Sequence, residues 1–580
     1  MYLSSMRIQN YRNFKDITMT FHPLANYLVG ENDIGKSGFL RLLSYMANAW
    51  TLPENDYDDP KQPIRITLDL HLLQSPNEYF ADTPQDHPEK IRVRLEMKVT
   101  DICPHLYDGE TGQEMPLETI RRLRYISYSA ISQEDQAVRP QVYRALEKCL
   151  AQWEASHCGP LPEEERRYIQ HEVNVGYFDS SYYECIFYLS RILCRSNRHR
   201  ADNLKFISLA ALRIITQVYQ MAHSLSVPLE HTIIVDGKGK RYLPLIISID
   251  EPEIHLHPYM QRSILQYYQQ LLNNEDPQFC ALLKDLFGLD GLRGQLFVVT
   301  HSTDSLIDDY RNILRLYHDR RGLVKAACGA SFHVNREIEK HLIMHFPEVK
   351  EALYARSVIL VEGETEYGCF QLFGRTVGVP FDYYGICLIN ARGESSIAKI
   401  KKLLEYFRLP VVALYDADVK EAHKREKGVY FTDGVCFEMD LSQTMLQRGK
   451  RQALDRIIDV ACGGTGRTSY DMVKKACHKL QLDPRDFPPG PLYKAKPHQG
   501  PVWVYYFAWL YSNKGVILGR LIGQSLQKEE VPPAFVRVIQ SGRGACDRLC
   551  GGSASGFRTG DPGRRASGYG AGKGIIIDEF

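Results

Sequence analysis

The sequence predicts an α/β protein made of two units, the first interrupted by a helical insertion and the second a parallel sheet. Three observations predict it. A glycine-rich loop, Gly30 to Ser37, separates a short apolar run, Tyr27-Leu28-Val29, from a helix-like segment, Phe39 to Met46. Two later apolar runs, Ser357 to Val361 and Val411 to Tyr415, each end in acids and alternate with helix-like segments, the rhythm of parallel strands with crossovers. Residues 134–230 mix Arg, Glu, Tyr and Leu without period-two alternation, which reads as a helical insertion.

Bulk properties set limits on this reading. At 580 residues the chain exceeds the usual single-domain range, so two or three domains are expected. A formal net charge of +1 argues against a uniformly basic nucleic-acid coat, although a local basic groove is enough to hold phosphates. The 14 cysteines form no CxxC pair and no zinc-finger spacing, so buried free thiols in a reducing cytoplasm are expected. The opening MYLSSMRIQNYRNF is too polar for a secretory leader, and no apolar run is long enough to span a membrane.

Taken in order, residues 1–133 hold the first part of the leading unit. Ile17, Met19 and Phe21 alternate, as do Ile64 to Leu72 and Ile91 to Val99, the pattern of half-buried strands. After the insertion, residues 231–345 resume with strand-like Leu245 to Ile249 and Leu296 to Val299. The second unit covers 350–540, with strands near 357–361, 387–389 and 411–414. Residues 541–580 are rich in Gly and Arg with little apolar periodicity, and disorder is expected there.

Gly30-Glu31-Asn32-Asp33-Ile34-Gly35-Lys36-Ser37 fits GxxxxGK[ST], in the strand-to-helix context that the motif needs. Its backbone N–H groups and the helix N-terminus would cradle the phosphates of ATP. Lys36 would neutralise the β- and γ-phosphates and Ser37 would ligate Mg²⁺. The apolar strand Ile246 to Ile249 ends in Asp250, a second Mg²⁺ ligand, and Glu251, which would polarise the attacking water. His301, after the strand Leu296 to Thr300, is placed to contact the γ-phosphate.

A second acidic set follows. Glu362-Gly363-Glu364-Thr365-Glu366 puts Glu362 at a strand's carboxyl end and Glu366 one helical turn on. Asp416 and Asp418 stand at the end of another strand. Adjacent parallel strand ends would bring these acids to shared cations, and oxygen-only ligands suit Mg²⁺ or Mn²⁺. Two such ions can activate a water and stabilise the leaving oxygen in phosphodiester cleavage. The basic run Lys420 to Lys427, with Lys399, Lys401 and Lys402, reads equally as DNA-phosphate contacts or as a solvated charged surface.

The first set resembles the ABC-type ATPase heads of the RecF/SMC-like group, carried by Tyr11-Arg12-Asn13-Phe14, the phosphate loop, Asp250 to Pro258 and His301. Such heads dimerise with ATP sandwiched between them, which makes the insertion at 134–230 a candidate dimerisation element. The sequence departs at the signature motif: Phe206 to Ala211 is the best candidate and lacks its glycines, so ATP binding is better supported than fast hydrolysis. The second set resembles the TOPRIM fold of topoisomerases, primases and small nucleases. A head followed by TOPRIM resembles the OLD (overcoming lysogenization defect) family of nucleases.

That resemblance implies further roles. Phe437-Glu438-Met439-Asp440-Leu441 is similar to a later acidic motif, so Glu438 or Asp440 would complete the second metal position. Lys514, in Asn513 to Arg520, is similar to a lysine that stabilises charge on the scissile phosphate. The expected activity is ATP-regulated, metal-dependent DNA cleavage by a homodimer or higher oligomer. OLD nucleases occur in bacterial anti-phage systems, including the Gabija nuclease subunit beside a helicase and retron effectors with a reverse transcriptase. An ATP-gated DNA clamp without nuclease activity and a TOPRIM ribonuclease are the alternatives.

Overall fold

A computed structural model describes residues 2–48, 51–71, 90–121, 123–129, 140–160, 162–164, 167, 169, 171, 181–194, 204–223, 229–254, 256–306, 309–334, 336–495 and 501–550. The chain opens with β1 (Tyr2–Tyr11), β2 (Phe14–Thr20), β3 (Ala25–Val29) and α1 (Lys36–Asn48). Then come β4 (Ile64–His71), β5 (Lys90–Met97), β6 (His105–Asp108), β7 (Glu114–Met115) and β8 (Arg124–Ser129). β4 and β5 bury alternate residues, as their period-two pattern predicts. One sheet runs β2-β1-β4-β5-β6-β7, with antiparallel pairing throughout.

The insertion supplies α2 (Pro140–His157), α3 (Ser181–Leu193) and α4 (Leu204–Ala222). Phe206 to Ala211, the signature candidate, lies inside α4, where Ile207, Ala210 and Ala211 are buried. It forms no glycine-rich turn, so it supplies no phosphate-binding loop. Next come β9 (Ile234–Val235), β10 (Arg241–Asp250), α5 (Pro258–Leu272), α6 (Pro277–Phe287), β11 (Gly291–Val299), β12 (Ile313–His318) and β13 (Val324–Cys328). They complete a second sheet, β13-β12-β3-β11-β10-β8, with β9 on β10; β12 through β8 are parallel. β12 and β13 carry no acid or glycine signature and were not foreseen in the sequence.

Helix α7 (Arg336–Ala352) leads into the second unit: β14 (Ser357–Val361), α8 (Glu364–Thr376), β15 (Ile386–Asn390), α9 (Glu394–Tyr406), β16 (Val411–Tyr415) and β17 (Val429–Phe431). Its sheet is parallel, in the order β15-β14-β16-β17. The chain continues through α10 (Phe437–Gln447), α11 (Tyr470–Leu480), α12 (Trp503–Ser512), α13 (Val516–Ser525) and α14 (Pro533–Cys550). Helix α14 corrects the expected boundary: residues 541–550 are helical, not disordered. The Ser357 hydroxyl donates to the Gly542 carbonyl (3.0 Å), so this part of the tail packs on β14. The rest of the tail, 551–580, lies outside the described residues. Among the described residues no helix is long and apolar enough to cross a membrane.

The two units share a core. Val358 and Leu360 of β14 join a cluster that includes Ile214 of the insertion and Leu245 and Val298 of the head. Ile359 and Val361 face the other way, into a cluster of the second unit. Across the join, Arg315 of β12 is 3% exposed and donates to three carbonyls: Leu353 (3.1 Å), Phe407 (3.2 Å) and Ala355 (3.3 Å). Leu353 follows the end of α7 and Phe407 caps α9, so the guanidinium meets the negative ends of two helix dipoles. Burial still pulls its pKa down to about 10. Arg315→Ala would leave three buried carbonyls unpaired, at a cost on the order of 3 kcal/mol or more. The expected outcome is a lower unfolding midpoint in thermal or urea denaturation, whereas Arg315→Lys, which can reach one or two of the carbonyls, recovers part of it.

Candidate nucleotide and metal sites

The phosphate loop joins β3 to α1 and lines an open cavity of about 1040 Å³ with Tyr11, Arg12, Asn32, Gly35, Lys36, Ser37, Glu251 and His301 among its walls. Gly30 adopts φ +144° and a Cβ there would stand 2.5 Å from the Leu316 carbonyl of β12, so only glycine fits beside that strand. Lys36 is 5% exposed, and its Nζ donates to the Gly30 (3.0 Å) and Glu31 (2.7 Å) carbonyls. Burial lowers its pKa, opposed by Asp250, Glu251, Asp33 and Glu31. Ser37 Oγ donates to Asp250 Oδ1 (3.2 Å), which pairs the two expected Mg²⁺ ligands. The Asp250 carboxyl is pushed up by burial.

Glu251 sits at φ +53°, a strained conformation for a side-chain-bearing residue, and its N–H donates to the Val299 carbonyl. His301 Nε2 lies 3.8 Å from Glu251 Oε1. Glu253 holds the turn behind His301, accepting from the Thr300 hydroxyl (2.8 Å) and the His301 N–H (2.6 Å). The predicted ATP-site residues therefore meet at one place. The opening motif contributes Arg12, which is bound to the buried Asp56 (2.6 Å).

At the second site, Glu362 follows β14 and Asp416 follows β16. The strand order places the reversal of connections between β14 and β16, the crevice where open α/β sheets bind ligands. Gly363 leaves space for Glu366 to fold back: a Cβ on it would lie 2.5 Å from Glu366 Oε2. Glu366 is 5% exposed and Glu438, from α10, is fully buried. Burial first, then repulsion from neighbouring carboxylates, raises three of the acids: Asp416 up to about 8, with Glu362 and Glu366 also pushed up. Asp440 is not part of this cluster. Its carboxylate accepts from the Asp433 and Gly434 N–H groups and so organises the loop before α10, which leaves Glu438 as the one of the two that meets Lys514.

Lys514 is set by a close helix crossing. A Cβ on Gly519 would stand 2.1 Å from the Thr365 carbonyl and one on Gly368 would stand 2.5 Å from the Val516 carbonyl. The lack of side chains lets α13 lie directly on α8, and the Gly515 N–H donates to Thr365 Oγ1 (3.1 Å). Lys514, just before α13, then reaches Glu438 Oε2 (3.0 Å), where Glu438 and Glu366 raise its pKa despite burial. The signal for this crossing was in the sequence, as Gly515, Gly519 and Gly523 at four-residue spacing. A second lysine, Lys479 of α11, pairs with Asp418 and had no local signal. The basic candidates divide. Lys401 is 7% exposed and bound to Glu405 (3.0 Å), so it faces inward rather than toward a phosphate. Lys424 pairs with Glu421.

Among the described residues no three of His, Cys, Asp and Glu close into a ready-made metal cage. The donor set nevertheless fits divalent cations. Glu362 Oε2 and Glu438 Oε1 are buried without a hydrogen-bond partner, a deficit that a cation would meet. The two lysines stand in as counter-charges on Glu438 and Asp418. Glu362, Glu366, Asp416, Asp418 and Glu438 are the residues that would hold Mg²⁺ or Mn²⁺.

Raised carboxyl pKa values mean that the folded, metal-free protein keeps protons that the unfolded chain releases above pH 4. Its stability therefore falls as pH rises from about 5 through 8. The expected drop in melting temperature is on the order of 5 °C between pH 6 and pH 8, reversed by millimolar Mn²⁺ and reduced in Asp416→Asn, where Glu366 and Glu362 remain. Differential scanning fluorimetry checks it.

Comparison with known proteins agrees with this architecture. Residues 1–112 and 220–305 match the AAA ATPase domain, and residues 353–418 match the family described as overcoming lysogenization defect protein-like, TOPRIM domain. The gap in the first match spans most of the helical insertion. The Old nuclease of Escherichia phage P2 is 21% identical over 482 residues, covering 72% of this chain and 77% of that protein. The DNA replication and repair protein RecF of Bacillus cytotoxicus is 22% identical over 128 residues, and the aligned part spans 29% of its length and 22% of this chain. Among solved structures, the C-terminal region of the Xanthomonas campestris pv. campestris OLD protein aligns with TM-score 0.25 and 17% identity, covering 34% of this chain and 96% of that one. An ATPase domain and an OLD-like TOPRIM domain occur in one chain, and one alignment to Old nuclease covers most of it, so the chain is similar to Old nuclease in both of its parts.

Proposed function

We propose that this protein is an ATP-regulated, divalent-metal-dependent DNA endonuclease that acts in anti-phage defence in the cytoplasm. The observation that carries the reading is the cluster of acids at the β14 and β16 ends, backed by the buried Glu366 and Glu438, with unpartnered oxygens on Glu362 and Glu438 and Lys514 beside them. Divalent cations bound there would supply an activated water and charge stabilisation for the leaving oxygen. Asp416, at the end of β16, would share the ligand set with Glu362 at the end of β14, and Asp418 and Glu366 would complete it. Lys514 would turn from Glu438 to the scissile phosphate and neutralise charge as it builds.

In the head, Lys36 and Ser37 would hold nucleotide phosphates with Asp250, while Glu251 and His301 would sit at the γ-phosphate. Two heads would close on ATP, giving a homodimer or larger assembly, with α2 to α4 as the candidate contact. A helicase or a reverse transcriptase would be the partner class in a defence setting. One observation favours the second reading, a DNA clamp without nuclease activity: Lys479 and Lys514 occupy acids that metals would need.

The deciding experiment is cleavage of supercoiled plasmid, single-stranded DNA and RNA with Mg²⁺ or Mn²⁺, with and without ATP. Glu362→Ala and Asp416→Ala are expected to reduce cutting to background while nucleotide affinity is retained. Lys36→Ala is expected to lose nucleotide binding. Wild-type cutting by Glu362→Ala would sink the site assignment. Inert wild-type protein under every metal and nucleotide condition would favour the clamp.

A further inference from the structure

The segment entering the second unit lies against both halves of the nucleotide site. Residues 353–356 form the step between α7 and β14. The Tyr354 hydroxyl lies within reach of two carbonyl oxygens, Thr300 (3.3 Å) and Ser302 (3.5 Å), the residues on either side of His301. Two residues on, Arg356 Nε stands 3.8 Å from Glu31 Oε1 of the phosphate loop. Gly385 gives its stem room, since a Cβ there would lie 3.3 Å from Arg356 Cγ. Between them, the Leu353 and Ala355 carbonyls are held by Arg315. Four consecutive residues therefore touch the His301 turn, the phosphate loop and β12, and lead directly into β14, which Glu362 follows.

On the reading of this chain as an ATP-regulated nuclease, we propose that Tyr354 and Arg356 are positioning residues that couple the nucleotide site to the metal-site acids through β14. The reasoning is mechanical. To reach a phosphate, Lys36 must release the Gly30 and Glu31 carbonyls, which frees the Glu31 backbone and loosens its side chain from Arg356. A His301 turn engaged with a γ-phosphate redirects the Thr300 and Ser302 carbonyls, so Tyr354 either follows them or loses both. β14 is buried on both faces and cannot bend locally. Displacement at its start is carried about 3.3 Å per residue along the strand, on the order of 20 Å to Glu362. Packed cores of this kind shift between discrete arrangements rather than deforming smoothly. Neither residue touches the expected place of ATP or metal, so both can be changed without removing a ligand.

The test measures plasmid cleavage in saturating Mn²⁺, with and without a non-hydrolysable ATP analogue, in the wild type and in Tyr354→Phe, Arg356→Ala and the double variant. Nucleotide affinity is measured in parallel, with and without duplex DNA. The wild type is expected to show a ratio of nucleotide-bound to nucleotide-free rates that differs from one by about fivefold or more. In the double variant that ratio falls toward one, while nucleotide-free cleavage is retained and the nucleotide Kd changes by less than about threefold. Coupling is reciprocal, so the effect of DNA on nucleotide Kd shrinks by the same factor. Arg356→Lys, which keeps the charge near Glu31, recovers part of the ratio. A double variant that keeps the wild-type ratio and the wild-type effect of DNA on Kd overturns the coupling proposal alone. A wild-type ratio of one overturns the regulatory reading and the coupling with it. Tyr354→Phe removes a single oxygen, so it keeps the test valid if Arg356→Ala fails to fold.

Discussion

A guanidinium whose hydrogen-bond partners are three backbone carbonyls is the constraint on which the two units depend. Arg315 leaves the head sheet through β12 and ends among Leu353, Ala355 and Phe407. A buried charge is costly unless fully satisfied, and here helix ends from the second unit satisfy it. The geometry works only while α7, α9 and β12 keep their relative positions. Pulling the units apart would break all three hydrogen bonds and expose the apolar cluster that both units share. The shared apolar cluster adds area to this interlock, and Arg315 gives it a defined register.

Both sites follow from one topological rule. Parallel strands end in the same direction, and their carboxyl ends gather groups from loops that are far apart in sequence. In the head, β3 delivers the phosphate loop, β10 delivers Asp250 and Glu251, and β11 delivers His301. In the second unit, β14 and β16 deliver Glu362 and Asp416 on either side of the crevice. The strands themselves are almost wholly buried, so their residues are selected for packing while chemistry is confined to the one or two positions after each strand.

That division explains what could be read from the sequence. The phosphate loop, Asp250-Glu251, His301, Glu362 and Asp416-Asp418 were legible because each motif lies at a strand end and the short apolar run before it announces the strand. The alternation in β4 and β5 was legible for the same physical reason, one face wet and one dry. Partners from helices were less so. Glu438 and Asp440 occupy one helical turn, and only packing decides that Glu438 faces the acids while Asp440 binds Asp433 and Gly434 N–H groups. Lys479 reaches Asp418 across 61 residues, with nothing local to mark it among its neighbouring lysines. The tail boundary was misplaced because Gly542 and Gly544 depress helix propensity, and packing of α14 on β14 overrides that preference.

The lysines also bear on how the second site is kept stable before it is loaded. Five carboxylates near one crevice repel one another, and burial raises the cost of every charge. Partial protonation relieves part of this, as the raised Asp416 and Glu366 values show. Lys514 on Glu438 and Lys479 on Asp418 relieve another part. Each lysine occupies a carboxylate oxygen that a cation would otherwise use, so lysine pairing and metal loading compete for the same lone pairs. Cations held by these acids would compete with protons on the carboxyl groups and with Lys514 and Lys479 for their oxygens. A freed Lys514 remains tethered by the α8–α13 crossing at Gly368 and Gly519, so its charge stays near the metals instead of drifting to solvent. A phosphate entering the crevice would meet that charge only once metal is bound. On the proposed nuclease reading, the resting places of the two lysines would favour metal before substrate.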